Sequence, residues 1–207
     1  MVQLNISRLI MSDESNMFSA LERIPSMQRR RLSGIAKLAL ESAMQCLQGD
    51  KVDYIVWCSQ YGDEEKTLKI LQDVLLEQTP SPTLFSTSVH NAISGLYSIF
   101  CQDTTVATSI AASWTEALLE AYTYLKTQQQ ATHALVVYYD QPLPSIYQEG
   151  HYFKSFSLAA IVSLDHANLK IDLENMSFQN QKYKDALHFN SFWQDQNLTK
   201  SGVWNKC

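Results

Sequence analysis

The sequence has few residues of several types that would assign it to a specialised class of protein. Its 207 residues include four cysteines, six glycines and five prolines, and 18% are charged. The cysteines lie at positions 46, 58, 101 and 207 without C-x-x-C spacing, which argues against a zinc site or a disulfide framework and favours reduced thiols. The low glycine and proline content excludes a long flexible linker, although Gln128, Gln129 and Gln130 predict a loop. We expect neither a metal nor a cofactor.

Basic charge and long apolar runs are scarce as well. The formal net charge is -5, which argues against a surface built to neutralise nucleic-acid phosphates. No apolar stretch reaches the ~20 residues needed to cross a bilayer. Polar residues interrupt the first eleven positions, so the pattern of a secretory leader is missing. We therefore expect a cytoplasmic protein with no transmembrane segment and no nucleic-acid partner.

Hydrophobic periodicity predicts strands that alternate with helices. The predicted strands cover residues 2–6, 54–58, 104–110, 134–139 and 158–164, with a further candidate at 169–173. The predicted helices run from near Ser26 to Leu47 and over residues 64–76, 89–100 and 114–125. Continuous apolar strands separated by helices are typical of a mostly parallel sheet in an α/β fold, buried on both faces.

Two local patterns between the second and third strands carry more specific expectations. Pro80 and Pro82 are expected to end a helix and to favour an extended backbone at Leu84 and Phe85. Residues 89–100 are apolar nearly all round, which predicts a helix buried within the protein.

Several short segments together resemble the amino-terminal half of a β-ketoacyl synthase. They are RRRLS at 29–33, SQYGD at 59–63, SPTLFSTSVHNA at 81–92, Gly95 and DQPLP at 140–144. More narrowly, the combination is similar to the short synthase-like chain length factors of aryl polyene pathways. The resemblance covers residues 25–164, and its motifs are specific in combination rather than singly.

The resemblance implies a thiolase-like α/β fold, of which this chain would form essentially the amino-terminal half-unit. That unit would have a mostly parallel five-stranded sheet with flanking helices and would occupy residues 1–167. Residues 168–207, rich in aromatic side chains, would be a carboxyl-terminal extension that packs on the domain or on a partner. The second half, which carries the catalytic bases in this family, would be truncated.

The resemblance also places Ala111 at the position of the catalytic cysteine. A methyl group can neither attack a thioester nor leave, so this position would be degenerate and the chain non-catalytic. A small residue is also common at a strand-to-helix turn for purely structural reasons. Ser109 and Ser113 are nearby hydroxyls, and either would need a general base within hydrogen-bond reach to act as a nucleophile.

Other site residues are implied by the resemblance in three groups. Leu84, Phe85, Leu68 and Leu71 would line the far end of an acyl tunnel, or else belong to the ordinary core. Another group would contact a partner subunit: Ser88, Val89, His90, Asn91, Val106 and Thr108. Arg29, Arg30 and Arg31 are predicted in the first turn of a helix, where positive charge opposes the macrodipole; they would contact an acyl carrier protein or the partner, or form salt bridges on a solvated face.

The leading hypothesis is a non-catalytic subunit that pairs with a complete β-ketoacyl synthase and helps to set the length of an aryl polyene, polyketide or fatty-acid-type chain. The heterodimer would bind an acyl carrier protein. Two alternatives remain: a thioester-processing enzyme that uses Ser109 or Ser113, and a scaffold that docks the carrier protein.

Overall fold

Strands from both ends of the chain meet in one mixed sheet. In the computed structural model, which describes residues 1–15, 17–147, 153–176 and 180–207, eight strands are hydrogen-bonded in the order β3-β2-β4-β5-β1-β6-β8-β7. They are β1 (Val2–Asp13), β2 (Tyr54–Cys58), β3 (Val106–Ile110), β4 (His133–Asp140), β5 (Phe156–Ser163), β6 (Leu169–Ile171), β7 (Lys200–Ser201) and β8 (Trp204–Lys206).

Helices connect the strands of the central sheet. They are α1 (Ser26–Arg29), α2 (Gly34–Leu47), α3 (Glu64–Leu75), α4 (Pro82–Ser86), α5 (Ala92–Cys101), α6 (Trp114–Thr127) and α7 (Lys182–Gln194). Short 3-10 turns cover Ala20–Arg23 and Ser145–Tyr147.

The directions of the central five strands match the sequence expectation, but the whole sheet is larger and more mixed. β2 pairs in parallel with β3 and β4, whereas β5 lies antiparallel between β4 and β1. β1, β2, β3 and β4 therefore run the same way, and β5 opposes them. The short strands β6, β8 and β7 extend the sheet beyond β1 through antiparallel pairs.

Each face of the sheet carries its own hydrophobic core because successive strand residues point to opposite faces. Tyr54, Val56 and Cys58 of β2 join the core that contains α6 and α7. Ile55 and Trp57 of the same strand join the core that contains α2 and α5. β4 is buried beyond its first residue, and β5 throughout, as the apolar sequences predict for strands covered on both faces.

The helix that was expected to begin near Ser26 is divided. α1 ends at Arg29, and α2 begins only at Gly34, where the Ser33 side chain accepts a hydrogen bond from the Ala36 N–H. A serine cap of this kind fixes the start of a helix. The expectation that Arg29, Arg30 and Arg31 lie in a first helical turn is therefore wrong: Arg29 ends α1, and the other two lie between the helices.

Leu84 and Phe85 are helical rather than extended. Ser81 caps α4 through the Leu84 N–H, and Pro82 occupies the first turn, where its fixed φ favours a helix. The proline at this position starts a helix instead of breaking one.

Two elements that were expected to be buried are exposed on one side. α5 buries only Ile93 and Tyr97, and Ile99 is 69% exposed. β3 is partly exposed along its length, and Val106 is 58% exposed. β3 is an edge strand, so its outer side has no neighbour within the described part of the chain.

A buried carboxylate joins two of the motifs noted in the sequence. Asp140, at the end of β4, accepts hydrogen bonds from the Ser59 hydroxyl (2.8 Å), the Tyr61 N–H (3.0 Å), the Gln60 N–H (3.1 Å) and the Tyr138 hydroxyl (2.5 Å). Burial raises the pKa of Asp140, and the hydrogen bonds from Tyr138, Tyr61 and Ser59 act in the opposite direction. This network fixes the loop that follows β2.

Replacing Asp140 with alanine should lower the free energy of unfolding by about 2–4 kcal/mol, because it leaves the buried donors of the loop without an acceptor. The measurement is urea denaturation. Asp165→Ala is the matched control, since Asp165 is exposed, and it should change stability by less than about 0.5 kcal/mol. Equal effects of the two substitutions would show that the network does not stabilise the loop.

Candidate functional site

The candidate site lies at the edge of the sheet where β2, β3 and β4 end. Because these strands are parallel, their carboxyl ends bring together three segments that are distant in the chain. These segments are the loop 59–63 after β2, the turn 111–113 after β3, and Asp140. The sequence motifs around residues 59 and 140 therefore share one end of the molecule with Ala111.

Ala111 forms the turn between β3 and α6, and its side chain is exposed. Its carbonyl oxygen accepts a hydrogen bond from the Lys182 ammonium at 2.8 Å. The buried Cys58 thiol donates to the Ala112 carbonyl at 3.2 Å, and burial raises the pKa of this thiol. Cys58 is therefore held as an inert thiol beside the turn, since a reactive cysteine needs a lowered pKa.

In the described part of the chain, neither nearby serine has a histidine partner that could activate it as a nucleophile. Ser113 is buried and caps α6: its hydroxyl accepts from the Glu116 N–H at 3.3 Å, and the Glu116 carboxylate accepts from the Ser113 N–H at 2.6 Å. Among the described residues, no histidine is hydrogen-bonded to the hydroxyl of Ser109 or Ser113. The geometry gives no serine–histidine pair for acyl transfer.

α7 contributes two charged residues that the sequence analysis missed. Asp185 is buried and accepts a hydrogen bond from the Thr115 N–H at 2.7 Å. The Lys182 ammonium lies 3.9 Å from the Glu116 carboxylate. Burial raises the pKa of Asp185, whereas its hydrogen bonds with Thr115 and Ser113 lower it. The Ser113-x-x-Glu116 spacing is the pattern of a capping box and could have predicted the start of α6 from the sequence. No local sequence pattern connects Asp185 with α6.

A cavity of about 230 Å³ lies beside the start of α6. Charged and polar side chains from α6 and α7 line it, including Glu116, Lys182, Asp185 and His188, and Trp204 also contributes to the lining. Among the described residues, no group of three histidine, cysteine or acidic side chains is arranged to hold a metal ion.

The residues proposed for the partner contact lie on the segment before α5 and on β3. The His90 ring nitrogen Nε2 lies 3.3 Å from the Ser59 carbonyl, and the Ser88 hydroxyl donates to the Phe85 carbonyl. Val89, Asn91 and Val106 are exposed, and Thr108 is half-buried. His90 thus ties this segment to the loop after β2.

The four residues proposed for the acyl tunnel do not belong to the buried core of this chain. Leu68 and Leu84 are half-buried, Leu71 is 49% exposed, and Phe85 is 63% exposed. Leu68 and Leu71 lie on α3, and Leu84 and Phe85 lie on α4. These four residues are therefore not ordinary core residues.

The arginine cluster is largely open to solvent. Arg30 and Arg31 are exposed and Arg29 is half-buried. The ion pairs found among the described residues include none of the three. Within the described residues, the three arginines therefore form no intramolecular salt bridges, which was the alternative interpretation.

The helices of the described chain are all too short or too polar to cross a membrane.

Solved structures of condensing enzymes share this fold. The chain aligns over 100% of its length with 99% of a chain in the structure of a ketosynthase (ApeO) in complex with its chain length factor (ApeC) from Xenorhabdus doucetiae, with 23% identity and a TM-score of 0.82. It also aligns with the ishigamide ketosynthase/chain length factor (9% identity, 84% of this chain and 56% of that chain, TM-score 0.59). A β-ketoacyl synthase from Burkholderia phymatum STM815 gives 9% identity over 79% of this chain and 55% of that chain, with a TM-score of 0.55.

These alignments confirm the α/β thiolase-like fold expected from the sequence. The chain spans little more than half the length of the last two proteins. Comparison with curated protein sequences finds no similar protein. The sequence profile described as the N-terminal domain of beta-ketoacyl synthase matches residues 6–204, almost the whole chain. The chain therefore belongs to the family of beta-ketoacyl synthase N-terminal domains.

Proposed function

We propose that this chain is a non-catalytic, ketosynthase-like subunit that pairs with a complete ketosynthase in the cytoplasm and acts as its chain length factor. The partner supplies the nucleophile and the bases, and the pair elongates a polyene, polyketide or fatty-acid-type chain carried by an acyl carrier protein. The observation that carries the proposal is the unpaired edge strand β3, together with the exposed apolar side chains on it and on the three helices that precede it in the chain.

Exposed apolar residues lie on four elements that follow one another in the chain, of which α3 contacts α4 and α5 contacts β3. Leu75 is 82% exposed, and the other members are each at least 47% exposed. Monomeric proteins rarely expose so many large apolar side chains in neighbouring elements. The members lie on α3 or at its end, on α4, on or just before α5, and on β3: Leu71, Val74, Leu75, Leu76, Phe85, Val89, Ile99 and Val106.

The edge of the sheet supports the same conclusion. An edge strand presents unpaired backbone N–H and C=O groups, which proteins usually protect or pair with another chain. β3 lies at this edge and carries Val106 and Thr108. A partner that pairs with β3 and covers α5 would bury polar backbone and apolar side chains together. Such an interface belongs to the class of obligate dimers, which bury ~2,000 Å² or more.

The candidate site argues against independent catalysis. Ala111 carries no nucleophilic atom, Ser113 is used as a helix cap, and Cys58 is buried with a raised pKa. Without an activated nucleophile, an acyl group cannot be transferred to this chain. The reacting groups are therefore assigned to the partner.

Glutamate in place of Ile99 or Val106 should weaken pairing with a complete ketosynthase at least tenfold, equivalent to ~1.4 kcal/mol, because a charge would be buried at the interface. Both side chains are exposed in the single chain, so folding should be unaffected. The measurement is size-exclusion chromatography of the co-expressed proteins, followed by a binding titration.

Leu198→Glu is the matched control, because Leu198 is an exposed leucine close to β7 at the opposite end of the sheet. This variant should pair as well as the unsubstituted chain. Equal affinity of all variants, or formation of homodimers alone in the presence of the ketosynthase, would contradict the proposal.

Alanine in place of Leu84 or Phe85 should lengthen the chain made by the reconstituted pair, because smaller side chains would remove a steric stop. In the unsubstituted pair, a growing chain that overlaps these side chains would lose more free energy than the ~0.8 kcal/mol gained by burying one more methylene. Mass spectrometry of the products measures the length. An unchanged length distribution, with pairing intact, would assign these residues to the interface alone.

The exposed arginine cluster supports contact with an acidic carrier protein. Arg30→Glu should weaken carrier binding to the pair by about threefold to tenfold at low salt, and less at high salt, because exposed charges are screened. The control is Lys184→Glu, which reverses the charge of an exposed residue on α7. Carrier binding that is insensitive to Arg30→Glu would remove the cluster from the docking site.

A further inference from the structure

The helix α4 carries Leu84 and Phe85 but is weakly anchored by its own side chains. It has five residues, of which Leu84 is half-buried and the other four are exposed. Its main neighbour in the fold is α3. A helix of this length is not stable by itself, because few backbone hydrogen bonds offset the cost of starting it. The position of α4 therefore depends on attachments made from outside the helix.

One attachment is made by Lys66, near the start of α3. Its ammonium donates a hydrogen bond at 3.3 Å to the carbonyl oxygen of Thr87, the residue that ends α4. The same ammonium lies 2.9 Å from the carboxylate of Asp63, and the side chains of Lys66 and Asp63 are only 12% and 4% exposed. The ion pair is thus shielded from the water that weakens pairs on a protein surface.

Asp63 gives the Lys66 side chain a fixed direction. Among the described residues, Lys66 is the only basic residue that forms an ion pair with Asp63, and neither oxygen of this carboxylate accepts a hydrogen bond of good geometry. A buried carboxylate that lost its counter-charge would carry a large desolvation cost. Lys66 is therefore kept beside Asp63, at the place from which it also reaches Thr87.

His90 supplies a second attachment on the same segment. Its ring nitrogen Nε2 lies 3.3 Å from the carbonyl oxygen of Ser59. The Ser59 hydroxyl accepts a hydrogen bond from the Gly62 N–H at 2.7 Å and donates one to Asp140 at 2.8 Å. Residues 87–90, which link α4 to α5, are therefore attached at one end to α3 and at the other end to the loop that Asp140 fixes.

These contacts form a path from the sheet to the residues proposed to set chain length. Asp140 fixes the loop 59–63, Asp63 at the end of that loop holds Lys66, and Lys66 holds the end of α4. A side chain that stops a growing acyl chain must not move when the chain reaches it, because burial of each further methylene is favourable. The side chains of α4 can act as a stop only if the helix is held in place.

We propose that Lys66 is a positioning residue that fixes α4, and with it Leu84 and Phe85, through its shielded ion pair with Asp63. In the pair with a ketosynthase, this attachment keeps the distribution of product lengths narrow. This second part rests on the proposed function, whereas the attachment of α4 is a property of the single chain and is tested on it alone.

The test variant combines Asp63→Asn with Lys66→Met, which removes both charges and so leaves neither buried without its partner. Methionine keeps a long side chain at position 66. The matched control combines Asp73→Asn with Lys69→Met. This ion pair also lies on α3, at 2.7 Å, but the Lys69 side chain is 57% exposed, and it is Lys66 that donates to Thr87. The conservative variant is Lys66→Arg, which keeps the charge and the donors.

Hydrogen–deuterium exchange of the single chain reports directly on α4. The Phe85 and Thr87 amides donate to carbonyl oxygens of α4 and its cap, so their exchange requires this helix to open. Residues 82–88 should exchange about tenfold faster in the test variant, with α6 unchanged. The control and Lys66→Arg should match the unsubstituted chain. Unchanged exchange of α4 in the test variant would overturn the proposal.

Mass spectrometry of the products made with a ketosynthase measures the second part. Where pairing is intact, the share of the most abundant length should fall at least about twofold in the test variant, with longer products increasing, because the stop discriminates between chains that differ by a few methylenes. The control and Lys66→Arg should keep the original distribution. A lower yield with an unchanged length distribution would show a purely structural role and would overturn the assignment of Lys66 to chain length.

Failure of the proposed function gives a different result. In that case the unsubstituted chain itself does not pair with a complete ketosynthase. The exchange of α4 in the single chain then decides whether Lys66 holds this helix: faster exchange in the test variant alone supports the attachment, and equal exchange in all variants contradicts it.

Discussion

The packing of α7 on α6 is the constraint on which the rest of the structure depends. α6 buries Trp114, Ala117, Leu118 and Ala121 in the core that it shares with α7 and the sheet. Without α7, the side chains of α6 that pack against it would be exposed to water, at a cost of about 25 cal/mol per Å² of apolar surface. The same contact places Asp185 at the helix terminus and Lys182 at the turn. Packing of the domain and the arrangement of charged groups at the start of α6 thus have one physical origin.

The two edges of the sheet differ in the strands that form them. Beyond β1, the strands β6, β8 and β7 continue the sheet, so residues near the carboxyl terminus cover that end. At the other end, β3 keeps an unpaired side, and α5, which contacts β3, carries the exposed Ile99. The edge strand β3 has 5 residues, whereas β7, the edge strand at the other end, has 2, and the longer edge is the one proposed to join a partner.

Much of the fold could be predicted from local pattern. The limits of β2, β4 and α6 agree with the sequence prediction within a few residues, because a continuous apolar strand and an amphipathic helix each have a clear period. The starts of α2 and α4 were not predicted, because each depends on a single serine side chain that caps the helix. Pro82 lies in the first turn of α4 and so starts a helix instead of ending one. β3 is exposed because it lies at the edge of the sheet, and the hydrophobic periodicity of a sequence gives no information about the order of the strands. Asp185 lies 70 residues from Thr115 in the chain, so only tertiary packing reveals their contact.

The central claim is that β3 and its neighbouring helices form the surface for a catalytic partner. Hydrogen–deuterium exchange of the full chain, with and without a complete ketosynthase, tests it most directly, because free edge amides become protected when another chain covers them. The account predicts slower exchange in β3 and α5 on addition of the ketosynthase, with β7 and β8 unchanged. Exchange in β3 and α5 that is the same in both samples, under conditions where the two proteins form a complex, would contradict it.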